Sequence, residues 1–223
     1  MGDAALHLDL FEQPGPKRVF PQPATCYMRS GRLGRMAAQG YVAAAISQPG
    51  YGNSDGSPDF CGPRTQGAVL RVVEAWRGKP FVKPEKITVF GYSRGAIVTA
   101  MVATKDPRLA GVVLGAGAYD FATWYPTPLR GIDTNIQHEA GVSADAFRSR
   151  SALQHVDKIT APVLILHGAK DERIPVQQAE RFAEALQARG APVKIVVFPT
   201  AGHDIPIEAQ YREIPPFLQA VSR

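Results

Sequence analysis

Two pentapeptides in the chain have the pattern Gly-x-Ser-x-Gly: Gly52-Asn53-Ser54-Asp55-Gly56 and Gly91-Tyr92-Ser93-Arg94-Gly95. A serine between two glycines suits nucleophilic catalysis when a sharp strand-to-helix turn lifts its hydroxyl clear of the backbone. The flanking residues distinguish the two. The first pentapeptide follows Pro49-Gly50-Tyr51 and precedes Ser57-Pro58, a turn-rich loop with no strand before it and no helix directly after. The second follows the apolar run Lys86-Ile87-Thr88-Val89-Phe90 and opens the helical run Gly95-Ala96-Ile97-Val98-Thr99-Ala100. Ser93 is therefore the candidate nucleophile and Ser54 a loop serine. The plainer alternative for Ser93 is a helix-capping serine in the same turn.

A serine hydroxyl is a poor nucleophile at neutral pH and needs a base, which in turn needs an acid to orient it. Downstream, Leu164-Ile165-Leu166-His167-Gly168-Ala169-Lys170-Asp171-Glu172 sets an acidic pair just beyond a strand-like run, and Gly202-His203-Asp204 follows another. The order Ser93, Asp171, His203 is the one a strand-turn-helix nucleophile elbow predicts. All three lie after strands, at the edge where open α/β sheets hold ligands. Rivals for the acid are Glu172 and Asp120, and Asp204 reads as a helix cap. His7, His138, His155 and His167 read as surface, cap or core residues.

Positioning such a set requires a parallel sheet. Continuous apolar runs at Tyr41 to Ile46, Lys86 to Phe90, Leu109 to Leu114, Pro162 to Leu166 and Val193 to Phe198 suit strands buried on both faces. Helical spacing separates them, around Ala68 to Trp76, Ala96 to Ala103 and Val176 to Arg189, the last stopped by Gly190. Repeated β-α-β units predict an α/β fold with a doubly wound, mostly parallel sheet and helices on both faces. The stretch 121–160 is too long for a bare loop and predicts a small helical cap. Within it Phe121, Trp124, Tyr125, Pro126 and Pro128 either line a substrate pocket, together with Tyr92, or simply pack the cap on the body.

Composition bounds the rest. At 223 residues, 45% hydrophobic and 20% charged, the chain holds enough apolar material for one sizeable core, which excludes a disordered chain, a collagen-like repeat and a disulfide-stapled miniprotein. No apolar run is long enough to span a membrane, and Met1 to Leu6 lacks a basic flank and an apolar segment, so a cytoplasmic protein without membrane association is expected. The net charge of +5 is dispersed; its nearest cluster, Arg29, Arg32 and Arg35, suits a solvated helix face better than a nucleic-acid track. Cys26 and Cys61 read as reduced, structural residues.

The chain resembles an α/β-hydrolase and, within that fold, the catalytic domain of the prolyl-oligopeptidase (S9) and dienelactone-hydrolase-like group. The resemblance rests on Gly50-Tyr51-Gly52-Asn53-Ser54-Asp55-Gly56, Gly91-Tyr92-Ser93-Arg94-Gly95, the segment Val163 to Pro175 and Gly202-His203, and covers about residue 30 to 223. It implies one domain over 1–223, acting as a serine hydrolase through an acyl-enzyme, with no metal and no organic cofactor. The substrates implied are carboxylic esters first and short peptides or aminoacyl amides second. Ser93 would attack, His203 would relay the proton, Asp171 would orient His203, and the Arg94 backbone N–H would supply one oxyanion donor. The stretch expected to supply the second donor, Lys17 to Tyr27, holds two prolines and no glycine, leaving Tyr27 or Cys26 as that donor and 1–27 as an atypical N-terminal segment. That segment motivates the alternative of a non-catalytic member of the fold that binds a ligand or partner. A cysteine nucleophile, usual among dienelactone hydrolases, is absent at position 93. A homo-oligomer through an edge strand or the cap is compatible with the sequence.

Overall fold

Strands buried on both faces have to be covered by helices on both sides, and the alternation along each strand shows how. Val89, Val112, Leu114, Val163 and Ile165 point into one apolar cluster, while Phe90, Val113, Leu164 and Leu166 point into another. The computed structural model describes residues 4–10, 31–52 and 54–222. The described elements are, in order, β1 (Ala4–Leu10), α1 (Arg32–Ala38), β2 (Val42–Ile46), α2 (Pro63–Arg77), β3 (Val82–Tyr92), α3 (Arg94–Ala103) and β4 (Gly111–Gly115). There follow α4 (Phe121–Trp124), α5 (Arg130–Glu139), α6 (Ala144–Arg148), a 3-10 segment (Ala152–Lys158), β5 (Val163–Gly168), α7 (Gln177–Ala188), β6 (Val193–Phe198) and α8 (Ile207–Val221). The six strands form one sheet in the order β2-β1-β3-β4-β5-β6, every neighbouring pair parallel. Val69 and Val73 of α2, all of α3, and Phe182 and Leu186 of α7 cover the first face; Met36 of α1 with Ile214 and Leu218 of α8 cover the second. The protein has an α/β fold with a doubly wound parallel sheet.

Two features differ from the sequence expectation. The N-terminal segment supplies a full strand, β1, which lies inside the sheet between β2 and β3. Its sequence Leu6-His7-Leu8-Asp9-Leu10 alternates, so a search for continuous apolar runs passes over it. Strand β3 also begins earlier than expected, at Val82, and its pairing with β1 shifts register between Ala4↔Val82 and Leu6↔Ile87. Pro84, which has no N–H to give a ladder, sits inside that irregularity. The stretch 121–160 is helical, as its length predicts.

Candidate active site

Ser93 sits between the last residue of β3 and the first of α3 with φ 53° and ψ −118°. A non-glycine residue at positive φ costs roughly 1–3 kcal/mol, and it persists because the surroundings over-determine it. The Ser93 N–H donates to Gly115 O at 2.7 Å, extending the β3–β4 ladder by one residue past the strand. Gly91 permits the turn that follows: a Cβ there would lie 2.1 Å from Gly95 O and 2.5 Å from Thr99 Oγ1. Gly91→Ala should therefore destabilise the protein by about 3 kcal/mol or more, read as a lowered melting temperature.

The other two side chains arrive from neighbouring strand ends. Asp171 follows β5 and His203 follows β6, and a Cβ on Gly168 would meet Gly202 O at 2.1 Å, so the two loops touch backbone to backbone there. His203 Nδ1 lies 2.8 Å from Asp171 Oδ2, and His203 Nε2 lies 2.8 Å from Ser93 Oγ. An ionised carboxylate only accepts, so Nδ1 carries the imidazole proton and Nε2 accepts from the serine hydroxyl. Ser93 is 4% exposed, His203 7% and Asp171 8%, so the chain of three is shielded from bulk solvent.

Asp171 is held ionised. Burial alone would raise its carboxyl, but hydrogen bonds from His167, His203 and the Ile174 N–H, with the charge of His203, hold it well below the usual carboxylate range. Its Oδ1 accepts the backbone N–H groups of Arg173 and Ile174, both at 2.9 Å.

Behind Ser93 lies a buried ionic cluster. The Arg94 guanidinium donates to Tyr51 Oη at 2.6 Å and to Glu139 Oε2 at 2.9 Å, and lies 4.2 Å from the Phe60 ring centroid. Glu139 Oε2 also accepts from Tyr51 Oη–H at 2.7 Å and from Phe60 N–H at 3.1 Å. The residue next to the nucleophile is thereby tied to the end of α5. Phe60 and Cys61 take positive φ (39° and 65°), and Arg150 donates to Asp59 O and Phe60 O, fixing that turn. Burial pushes the Cys61 thiol up to about 11, so at neutral pH it stays protonated and donates to Arg94 O.

A model of the prolyl oligopeptidase family matches residues 30–221. The chain belongs to that family. It is 27% identical over 179 residues to the uncharacterized peptidase YuxL of Bacillus subtilis (strain 168), covering 76% of this chain and 27% of that one. It is 28% identical over 183 residues to the uncharacterized peptidase YtmA of the same strain, covering 80% and 71%. Among solved structures, an acylaminoacyl peptidase of Pyrococcus horikoshii superposes with a TM-score of 0.79 at 20% identity, covering 98% of this chain and 38% of that one. The chain thus spans about a quarter to two fifths of two of these proteins and most of the third.

In this prolyl oligopeptidase family member the structure brings Ser93, Asp171 and His203 together and distributes the other predicted residues differently. Asp120, the rival acid, caps α4 through Ala122 N–H and bonds Thr123 Oγ1, while Glu172 is exposed. Asp204 is exposed and lies before the Pro206 cap of α8, so it caps no helix. Ser54 donates to Ser47 O at 2.8 Å in its loop. Tyr92 is a strut: its hydroxyl donates to His203 O at 2.5 Å and accepts from Ile205 N–H at 2.8 Å, fixing the histidine's loop. Trp124 belongs to the core, edge-on to Phe121 with its indole N–H on Arg173 O at 3.0 Å. Tyr125 is half-buried against Phe147 and accepts from Gln137. Tyr27, Cys26 and Arg29 lie outside the described residues. Sequence reasoning assigned no part to His167, Tyr51 or Glu139; the spacing of His167 from Asp171 along one strand end was a usable signal, whereas nothing local joins Glu139 to Arg94.

Proposed function

We propose that the protein is a serine hydrolase that cleaves carboxylic esters and short peptide or aminoacyl amide bonds through an acyl-enzyme. The observation that carries this reading is the unbroken hydrogen-bonded line from Ser93 Oγ through His203 to the ionised Asp171, mounted on a strained turn at the strand ends. Ser93 Oγ attacks the carbonyl carbon as its proton passes to His203 Nε2. Asp171 keeps the imidazole in that tautomer and balances the imidazolium. The Arg94 backbone N–H, in the first turn of α3, donates to the developing oxyanion, aided by the helix N-terminus. His203 then protonates the leaving group, and water repeats the attack to release the acid. The same proposal takes 1–223 as one hydrolase unit with 121–160 as a cap; the Glu139–Arg94 contact supports it, since it ties α5 to the residue beside the nucleophile.

Short acyl esters are the favoured substrates and aminoacyl amides the second choice, with no metal or organic cofactor taking part. A cytoplasmic setting is consistent with the free Cys61 thiol. Among the described residues no helix is long and apolar enough to cross a membrane. A homo-oligomer would form through an edge strand, β2 or β6, or through the cap, which sedimentation would read. Comparing kcat/KM across p-nitrophenyl esters of increasing acyl length and across aminoacyl anilides tests the substrate reading. The expected result is turnover of short-chain esters exceeding that of any anilide. Absence of turnover on both series would favour a ligand-binding protein instead.

A further inference from the structure

We propose that His167 is a positioning residue for the catalytic carboxylate, an imidazole whose Nε2–H faces Asp171 Oδ2. The inference rests on the Ser93–His203–Asp171 reading and adds a fourth side chain to it. His167 stands on β5, is fully buried, and points its Nε2 at two acceptors: Ile174 O at 2.9 Å and Asp171 Oδ2 at 3.3 Å. Neither acceptor can donate, so Nε2 must carry the proton. Nδ1 is buried and has no hydrogen-bond partner among the described residues.

One oxygen of Asp171 is consequently shared by two imidazole N–H groups, with the other oxygen held by two backbone N–H groups. Three hydrogen-bond donors and the longer N–H contact from His167 surround the carboxylate and hold it against His203. The donation from His167 also draws charge from the oxygen that faces His203, and so moderates how tightly Asp171 holds the imidazolium. The lowered titration of Asp171 agrees with this, since the bond from His167 contributes to it. The charged residues on the elements packed against the carboxylate, among the described residues, point elsewhere. Lys170, Glu172 and Arg173 flank it but are exposed, β4 carries no charged residue, and Lys194 of β6 pairs with Glu213 at that strand's far end.

The test compares wild type, His167→Leu and His167→Gln by pH profiles of kcat and kcat/KM on a short activated ester, with Ser93→Ala alongside. Leucine removes the donor, whereas glutamine keeps an N–H at about the reach of Nε2 with no group to titrate. His167→Leu should lower kcat about tenfold with KM little changed. It should also move the acid limb of kcat/KM to higher pH by about half a unit or more, because a more basic Asp171 holds the imidazolium longer. His167→Gln should restore both. A leucine variant whose acid limb superimposes on wild type, or a glutamine variant that fails to recover it, overturns the proposal. Histidine-selective 15N NMR of the wild type at neutral pH reads the tautomer directly, even where the leucine variant does not fold: a proton on Nε2 is expected, and an Nδ1–H tautomer overturns it. Undiminished hydrolysis by Ser93→Ala would instead overturn the underlying triad reading, a result the NMR tautomer does not depend on.

Discussion

Ser93→Ala is expected to cut the hydrolysis of short activated esters by about a million-fold and to abolish labelling by a fluorophosphonate probe. The size of the loss follows from the division of labour in the site. His203 Nε2 accepts the proton of Ser93 Oγ, so removing the hydroxyl takes away the nucleophile that the base activates. What remains is oxyanion binding at Arg94 and ordinary substrate binding, which leave only a small residue of catalysis. The fold should survive, because alanine suits the same backbone and the buried ladder bond from residue 93 N–H to Gly115 O is unaffected. Ser54→Ala is the matched control. It loses one loop hydrogen bond, to Ser47 O, and should keep turnover within about twofold while costing about 1 kcal/mol of stability. Label that persists on Ser93→Ala would place the nucleophile elsewhere.

Asp171→Asn is expected to lower kcat by about four orders of magnitude. An amide offers one accepting oxygen where the carboxylate offers two, yet four N–H donors converge on this residue. If the oxygen keeps the two backbone donors, the amide NH2 faces both histidines. His203 must then turn its unprotonated nitrogen toward residue 171 and present Nε2–H to Ser93, the wrong tautomer for a base. The Nε2–H of His167 then meets an amide NH2 in place of its second acceptor, keeping only Ile174 O, so stability falls as well. The pH dependence has a definite sign. A carboxyl held below its ordinary range stabilises the native state fully above about pH 4, the unfolded aspartate value, and loses that contribution as pH falls toward the native value. The stability gap between wild type and Asp171→Asn should therefore be constant from neutral to alkaline pH and narrow in acid, which denaturant melts across pH would show.

Much of this was legible because each piece had a local signature. Ser93 is marked by the apolar run before it and the helix after it, and Asp171 and His203 by their places just beyond apolar runs in the required order. The five continuous apolar runs became strands because burial on both faces demands such runs. β1 was not legible by that criterion, since its apolar residues alternate with His7 and Asp9. α8 was obscured by Pro215 and Pro216, which read as helix breaks yet lie inside it. The contacts around Arg94 were invisible for a different reason. Tyr51, Phe60 and Glu139 come from three separate segments, and only the tertiary fold places them around one guanidinium. Trp124 looked like a pocket residue on the strength of its ring alone, whereas Phe60, Phe121 and the Arg173 carbonyl absorb it into the core.

The central claim is that the acyl group passes through Ser93, and trapping that intermediate tests it most directly. Wild-type protein mixed with a short activated ester, acid-quenched during turnover and digested, should yield one peptide heavier by the acyl group, with the modification on Ser93. The adduct should accumulate further in a variant with His203 replaced, wherever the ester is reactive enough to acylate it. Acylation mapped to Ser54 or Cys61, or steady ester turnover by Ser93→Ala, would contradict the account.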